Sequence, residues 1–182
     1  MRERKKASLI SEAKKGDEQQ LQGYVTGLSS PDKEVRHTSE QALVHAGTAA
    51  VDPLIRFIRE EREPDFRWYA ARALARIGQP AVHSLIEALK AEQREDVRKY
   101  YAAAIAEMRE PPVYNVIELF REKDPALRGY GTLILCRIGE AAIGPLKESL
   151  GKDNTMLKKC AEYTLLRIGA DSYARDASER IE

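Results

Sequence analysis

The sequence predicts an all-α fold, a right-handed α-solenoid of about five helix-turn-helix repeats behind an N-terminal helical cap. Three observations predict it. First, a basic residue recurs at Arg36, Arg67, Arg98, Arg128 and Lys158, at spacings of 31, 31, 30 and 30 residues, and a large apolar residue precedes it each time (Val35, Phe66, Val97, Leu127, Leu157). Second, eleven residues after this anchor stands Gly47, Gly78, Gly139 or Gly169, with Arg109 taking the place in copy three. Third, apolar positions at −1, +3, +6, +7 and +10, and again at +15, +18, +19 and +22, follow a helical period on either side of the glycine.

The elements follow in order. Residues 1–30 form a degenerate cap, in which Asp17 starts a helix carrying Leu21, Tyr24, Val25 and Leu28. The copies then run over 31–61, 62–92, 93–122, 123–151 and 152–182 as one continuous domain. In copy two the helices are expected near 65–77 and 80–90. Gly78 would end the first in a left-handed conformation, and Pro80 suits the first turn of the second. Neither helix of a copy buries both flanks alone, so copies must stack. Copy three follows Arg109 with Glu110-Pro111-Pro112, which demands a different turn. Copy four carries Gly129 and Gly131 inside its first helix, at about 1 kcal/mol each relative to alanine, and a locally soft helix is expected there. Copy five has Asp176 and Arg180 where the others place aliphatics, as a terminal cap with one wet face would.

Composition narrows the function classes. The chain has 182 residues, 30 Lys+Arg against 29 Asp+Glu, 43% hydrophobic and 32% charged. That balance is globular, without the cationic excess of a nucleic-acid binder. Two cysteines, Cys136 and Cys160, are too few for a disulfide framework, and a cytoplasmic location is the expectation. No apolar run is long enough to insert in a membrane. Residues 1–15 hold six cations against two carboxylates, a basic arm that could meet an acidic surface or nucleic acid.

The motif Asp-x-x-Val-Arg, an alanine-rich first helix, Ile-Gly and then Pro-Leu-Ile resembles the HEAT-like repeat of the phycobilisome-lyase type. Asp32 to Arg36 with Gly47 and Pro53-Leu54-Ile55 carry the resemblance, as do Asp124 to Arg128 with Ile138-Gly139 and Pro145-Leu146. It covers about residues 31–182. It implies stacked helical pairs and a non-enzymatic scaffold that binds a protein or peptide. A second implication is an accessory subunit similar to those of bilin lyases, which bilin absorbance on mixing would reveal. Nucleic-acid binding through the basic arm is the third reading.

In such stacks the second helices line the concave side. Their outward positions include Arg56, Arg59, His83, Glu87, Lys90, Tyr114, Glu118, Arg121 and Glu148, an acidic row beside a basic row. Mixed signs suit a peptide or protein better than a phosphate backbone. Glu87 with Lys90 and Glu118 with Arg121 are also expected as ordinary i,i+3 pairs. The alternative is a convex aromatic patch of Trp68, Tyr69, Tyr100 and Tyr130, with Arg72 and Arg76 stacking on Trp68. The anchor arginines follow Asp32, Asp65, Asp96 and Asp124, which suggests an Asp/Arg ladder between adjacent turns.

Catalytic, metal and cofactor sites are not expected. His37 and His45 lie two turns apart without further ligands, and no His-Glu dipeptides of the HEAT-like di-iron hydroxylases occur. Cys136 occupies a small-residue position and is expected as a buried spacer. Cys160 has no neighbouring base to activate it.

Overall fold

The computed structural model describes residues 18–179 and, within its last helix, side chains as far as Gly169. The described residues are helices and turns, with no strand among them. They divide into two compact units, one ending at Ala81 and the other beginning at Val82.

The first unit holds α1 (18–27), α2 (Lys33–Ala46), α3 (Thr48–Glu60), α4 (Pro64–Ile77) and a 3₁₀ turn (Gln79–Ala81). Asp32 caps α2, its side chain accepting from the Glu34 amide at 2.8 Å. Helix α4 packs on both α2 and α3. Leu43, Leu54, Ile58 and Leu74 are fully buried between these helices, each worth about 1.5–3 kcal/mol relative to an exposed side chain. Val25 and Leu28 join the core from the cap as expected. Val35 departs from its column and is 43% exposed. The equivalent Val97, Leu127 and Leu157 are buried.

The second unit holds α5 (Val82–Ala91), α6 (Glu95–Ala106), α7 (Val113–Glu118), α8 (Pro125–Ile138), α9 (Ile143–Ser149) and α10 (Thr155–Glu179), with 3₁₀ turns at Leu119–Arg121 and Gly139–Ala142. Helix α6 packs on α5 and α8, and α8 packs on α10. Leu85, Leu89, Ile105, Val116, Phe120, Leu135 and Leu146 form its core. Copy three does turn differently: α6 stops at Ala106 with Glu107 at φ −93°, ψ 4°. Helix α8 runs unbroken through Gly129 and Gly131.

The turn glycines are positive in φ but not in the left-handed helical well. Gly47, Gly78 and Gly139 sit at φ 58°, 74° and 71° with ψ of −126°, −134° and −129°. There ψ is reversed, so even asparagine, which tolerates the left-handed helical well, gains nothing. Gly78→Ala is expected to cost about 2 kcal/mol although no neighbouring atom lies within 4 Å of a built Cβ. Urea unfolding that leaves Gly78→Ala as stable as wild type would show that the turn relaxes freely.

Two expectations change. Gly169 does not end a helix: it lies inside α10. The residues after it include no proline to start a second helix, and glycine alone only weakens a helix without stopping it. The expectation for Asp176 and Arg180 falls outside the described side chains. The second change concerns the anchor arginines. Arg36 donates to the carbonyls of Ser30 and Pro31 at 2.6 and 2.9 Å, and Arg128 to those of Glu122 and Lys123 at 2.7 and 2.9 Å. Arg67 Nε reaches the Glu61 carbonyl at 2.7 Å. These arginines therefore clamp the loop entering their own helix. Asp32 and Asp124 cap their helices through Oδ1, and Asp124 also offers Oδ2 to Arg98 of the preceding copy at 3.3 Å.

Candidate functional site: the second-helix face

In the second unit the outward side chains of the second helices and the turns after them make three sets of polar contacts. Lys90 lies 2.9 Å from Glu122 and 3.6 Å from Glu87. Hydrogen bonding to Glu122 holds its ammonium above the ordinary lysine range, against the opposing effect of burial. Arg121 pairs with Glu118 at 2.8 Å. The Tyr114 hydroxyl donates to Glu148 at 3.0 Å, and that hydrogen bond raises the phenol's pKa.

Tyr114, Glu118, Arg121 and Glu148 line a cleft of about 280 Å³ whose other walls include Asn115, Pro145 and Lys152. Four expected site residues are thereby brought together. The i,i+3 pairs Glu87/Lys90 and Glu118/Arg121 form as expected, but Lys90 and Tyr114 also reach into the following copy. His83 is exposed on the same row. Asn115 escaped sequence reasoning because it lies about 100° around the helix from Tyr114. Lys152 escaped because it belongs to a linker; neither residue carries a sequence signal for the cleft.

Arg56 and Arg59 are exposed in the first unit. Arg56 borders a separate cleft of about 510 Å³ with Gln22, Phe57, Glu60 and Glu63. Beside it Glu61 accepts from the Ser29 hydroxyl at 2.7 Å and from the amides of Arg62 and Glu63. Burial would push the Glu61 carboxyl up, but these hydrogen bonds hold it below the usual range.

The aromatic row is built differently from an exposed patch. Trp68 is 41% exposed, but Tyr100 is buried, with the Lys99 ammonium 5.0 Å from its ring centre. Tyr69 and Tyr130 are half-buried. The Arg36 guanidinium lies 5.2 Å from the Tyr69 ring centre, and Arg98 lies 6.0 Å from that of Tyr130. The anchor arginine of one copy thus covers the tyrosine of the next, and the tyrosines fill space between copies. Of the alternative patch, Trp68 is the exposed member, whereas Tyr69, Tyr100 and Tyr130 are half-buried or buried. Arg72 lies 5.0 Å from the Tyr69 ring, and with Arg76 it pairs with the buried carboxylate of Glu40.

The remaining reactive groups are quiet. Cys136 is half-buried, less than a buried spacer would be. Burial pushes the half-buried Cys160 thiol up, so it stays protonated and weakly nucleophilic. Gln41 is 2.9 Å from His37 Nε2. Among the described residues no three His, Cys, Asp or Glu converge as metal ligands would, and no helix is long and apolar enough to cross a membrane.

No curated protein matches the chain. Among solved structures, the CpcE and CpcF complex of phycocyanin lyase from Nostoc sp. PCC7120 is similar at 18% identity and a TM-score of 0.41, over 79% of this chain and 96% of that one. A designed armadillo repeat protein aligns at 17% identity and a TM-score of 0.33, over 81% and 82% of the two chains. Computationally designed armadillo repeat proteins for modular peptide recognition align at 16% and 0.32, over 81% of each chain. The family of HEAT repeats matches residues 21–106, and over that stretch of paired helices, arginine clamps and glycine turns the chain carries HEAT repeats.

Proposed function

We propose that the protein is a non-enzymatic interaction scaffold that binds a protein or peptide on its second-helix face, around Tyr114. The observation that carries the reading is the Tyr114 ring. It is 60% exposed, beside a cleft whose rim alternates Glu118, Arg121, Glu148 and Lys152. An exposed aromatic with a polar tip, ringed by charges of both signs, is the usual make-up of a protein-binding hot spot. Both signs on one rim would repel part of any uniformly charged polymer, which favours a polypeptide over nucleic acid. Free cysteines at Cys136 and Cys160 suit a reducing compartment, and we place the scaffold in the cytoplasm.

The triple variant His83→Ala/Tyr114→Ala/Glu118→Arg tests this reading. Its three side chains are exposed, so its thermal unfolding should match wild type. In affinity capture from lysate of the protein's own host, quantified by mass spectrometry, at least one protein is expected to be retained about tenfold better by wild type than by the variant. Identical captured sets from the two would end the proposal.

A further inference from the structure

Seven large hydrophobic side chains are exposed among the described residues, and four of them lie on α8 and α10: Leu133 at 54%, Met156 at 44%, Tyr163 at 56% and Leu166 at 74%. This clustering is not scatter of the kind any soluble surface shows. On α10, Met156, Lys159, Tyr163 and Leu166 follow spacings of three, four and three residues, so they form one stripe about 15 Å long. The hydroxyls of Thr132 and Thr164 meet at 3.1 Å between the two helices. That contact sets the register: on these two parallel helices Leu133 follows one threonine and Tyr163 precedes the other, so the two exposed side chains project from the same side, about 3 Å apart in height.

The charges around the stripe say what would cover it. Lys159 and Arg167 are exposed within or beside it on α10, and Arg137 is exposed on α8, one turn beyond Leu133. Glu107 lies 2.5 Å from Arg137 and neutralises it in part. Glu162 is exposed but lies on the far edge of α10, beyond Leu166. The apolar stripe is therefore flanked by cations along the side facing α8. A helix carrying large apolar residues on one face and carboxylates beside them matches both features. The length of the stripe corresponds to about three turns of such a helix.

We propose that the α8/α10 face is a second docking site, distinct from the Tyr114 cleft, and that its occupant is an acidic amphipathic helix of a partner protein. Apolar burial over Leu133, Tyr163 and Leu166 supplies affinity, and Lys159 with Arg167 selects the sign of the flanking charge. The site uses first helices only, so it operates whether or not the second-helix face is occupied.

The test uses the full chain and a fluorescein-labelled helical peptide of about 18 residues, with leucines spaced three and four apart and glutamates beside them, against a twin with lysine for every glutamate. Fluorescence anisotropy should show the glutamate peptide binding about tenfold more tightly than its twin. Leu133→Ser/Tyr163→Ser/Leu166→Ser, and separately Lys159→Glu/Arg167→Glu, should each weaken it about tenfold. All five positions are exposed, and circular dichroism should show both variants folded. Tyr114→Ala should bind the peptide as wild type does. The proposal is overturned by equal affinity for the two peptides, by unchanged binding in both variants, or by loss of binding in Tyr114→Ala, which would seat the peptide on the second-helix face. Co-sedimentation with phosphatidylserine vesicles without peptide binding would overturn it too, by making the face a membrane contact.

Discussion

Replacing Phe120 with alanine is expected to remove about 4 kcal/mol from the stability of the folded chain, read from urea unfolding. The ring is fully buried at the end of the second helix of copy three. It lies against the first helix of copy four at Gly131, where a Cβ would stand 3.0 and 3.3 Å from two ring carbons and 3.4 Å from Leu119 Cβ. The glycine that sequence reasoning marked as a weak point in α8 is thus the space into which the ring fits. Gly131→Ala gains about 1 kcal/mol of helix propensity, but it crowds a ring with nowhere to go, and we expect a net loss of stability. Phe120→Leu removes the crowding ring edge. In that background Gly131→Ala should be neutral or stabilising, and the double-mutant cycle should show coupling of about 1 kcal/mol or more. Additive effects would mean that Gly131 serves some purpose other than admitting Phe120.

The second large effect is expected at Glu40. Its carboxylate is buried in the first unit and receives Nε and a terminal nitrogen of Arg72, with a further bond from Arg76 at 3.1 Å. Burial would raise its pKa, but the hydrogen bonds and charges of the two arginines outweigh burial and set it below the ordinary carboxylate value of 4.5. Both arginines are about half exposed, so solvent takes over part of their interaction if Glu40 is lost. Glu40→Gln should therefore cost about 2 kcal/mol, at the lower end for a broken buried pair. Because the folded-state pKa is depressed, the stabilisation is complete above the unfolded value and disappears as pH falls through the folded one. The difference between wild type and Glu40→Gln should be constant from pH 7 to 5 and shrink below pH 4.5. Glu92, held by Arg94 at about 2, remains charged over most of that window and should give wild type and variant a common further loss at lower pH. A difference that stays constant down to pH 3 would contradict the assignment.

Features repeated within one copy were legible in the sequence. The anchor arginine, the glycine at +11 and the buried columns at +7 and +18 each recur at a fixed distance, and the structure buries Leu43, Leu74, Ile105 and Leu135 in one column and Leu54, Leu85, Val116 and Leu146 in the other. Contacts between copies were less legible. Arg36 over Tyr69, Glu40 with Arg72, Lys90 with Glu122 and Tyr114 with Glu148 all join residues 32 to 34 positions apart. Their pairing depends on how one helical pair settles on the next, which periodicity does not encode. The anchor arginine shows the difference well. Its position was evident, but its partners are loop carbonyls, and every residue has a carbonyl. Gly169 shows the converse: the pattern was present, but nothing after it enforces a turn. Of the site, the charged rows of the second helices were foreseen, whereas the cleft beside Tyr114 needed the placement of Pro145 and Lys152 to exist.

The account rests most heavily on Tyr114 as the point of contact with a polypeptide partner. The direct test is to place the photo-crosslinker p-benzoylphenylalanine at position 114, and at position 68 in a parallel protein, and irradiate each in lysate of the host. The account predicts discrete crosslinked protein bands from position 114 that excess unlabelled wild type competes away, with position 68 giving none of the same bands. Crosslinks of the same proteins from position 68, with none from 114, would contradict it and move the partner to the Trp68 side of the first helices.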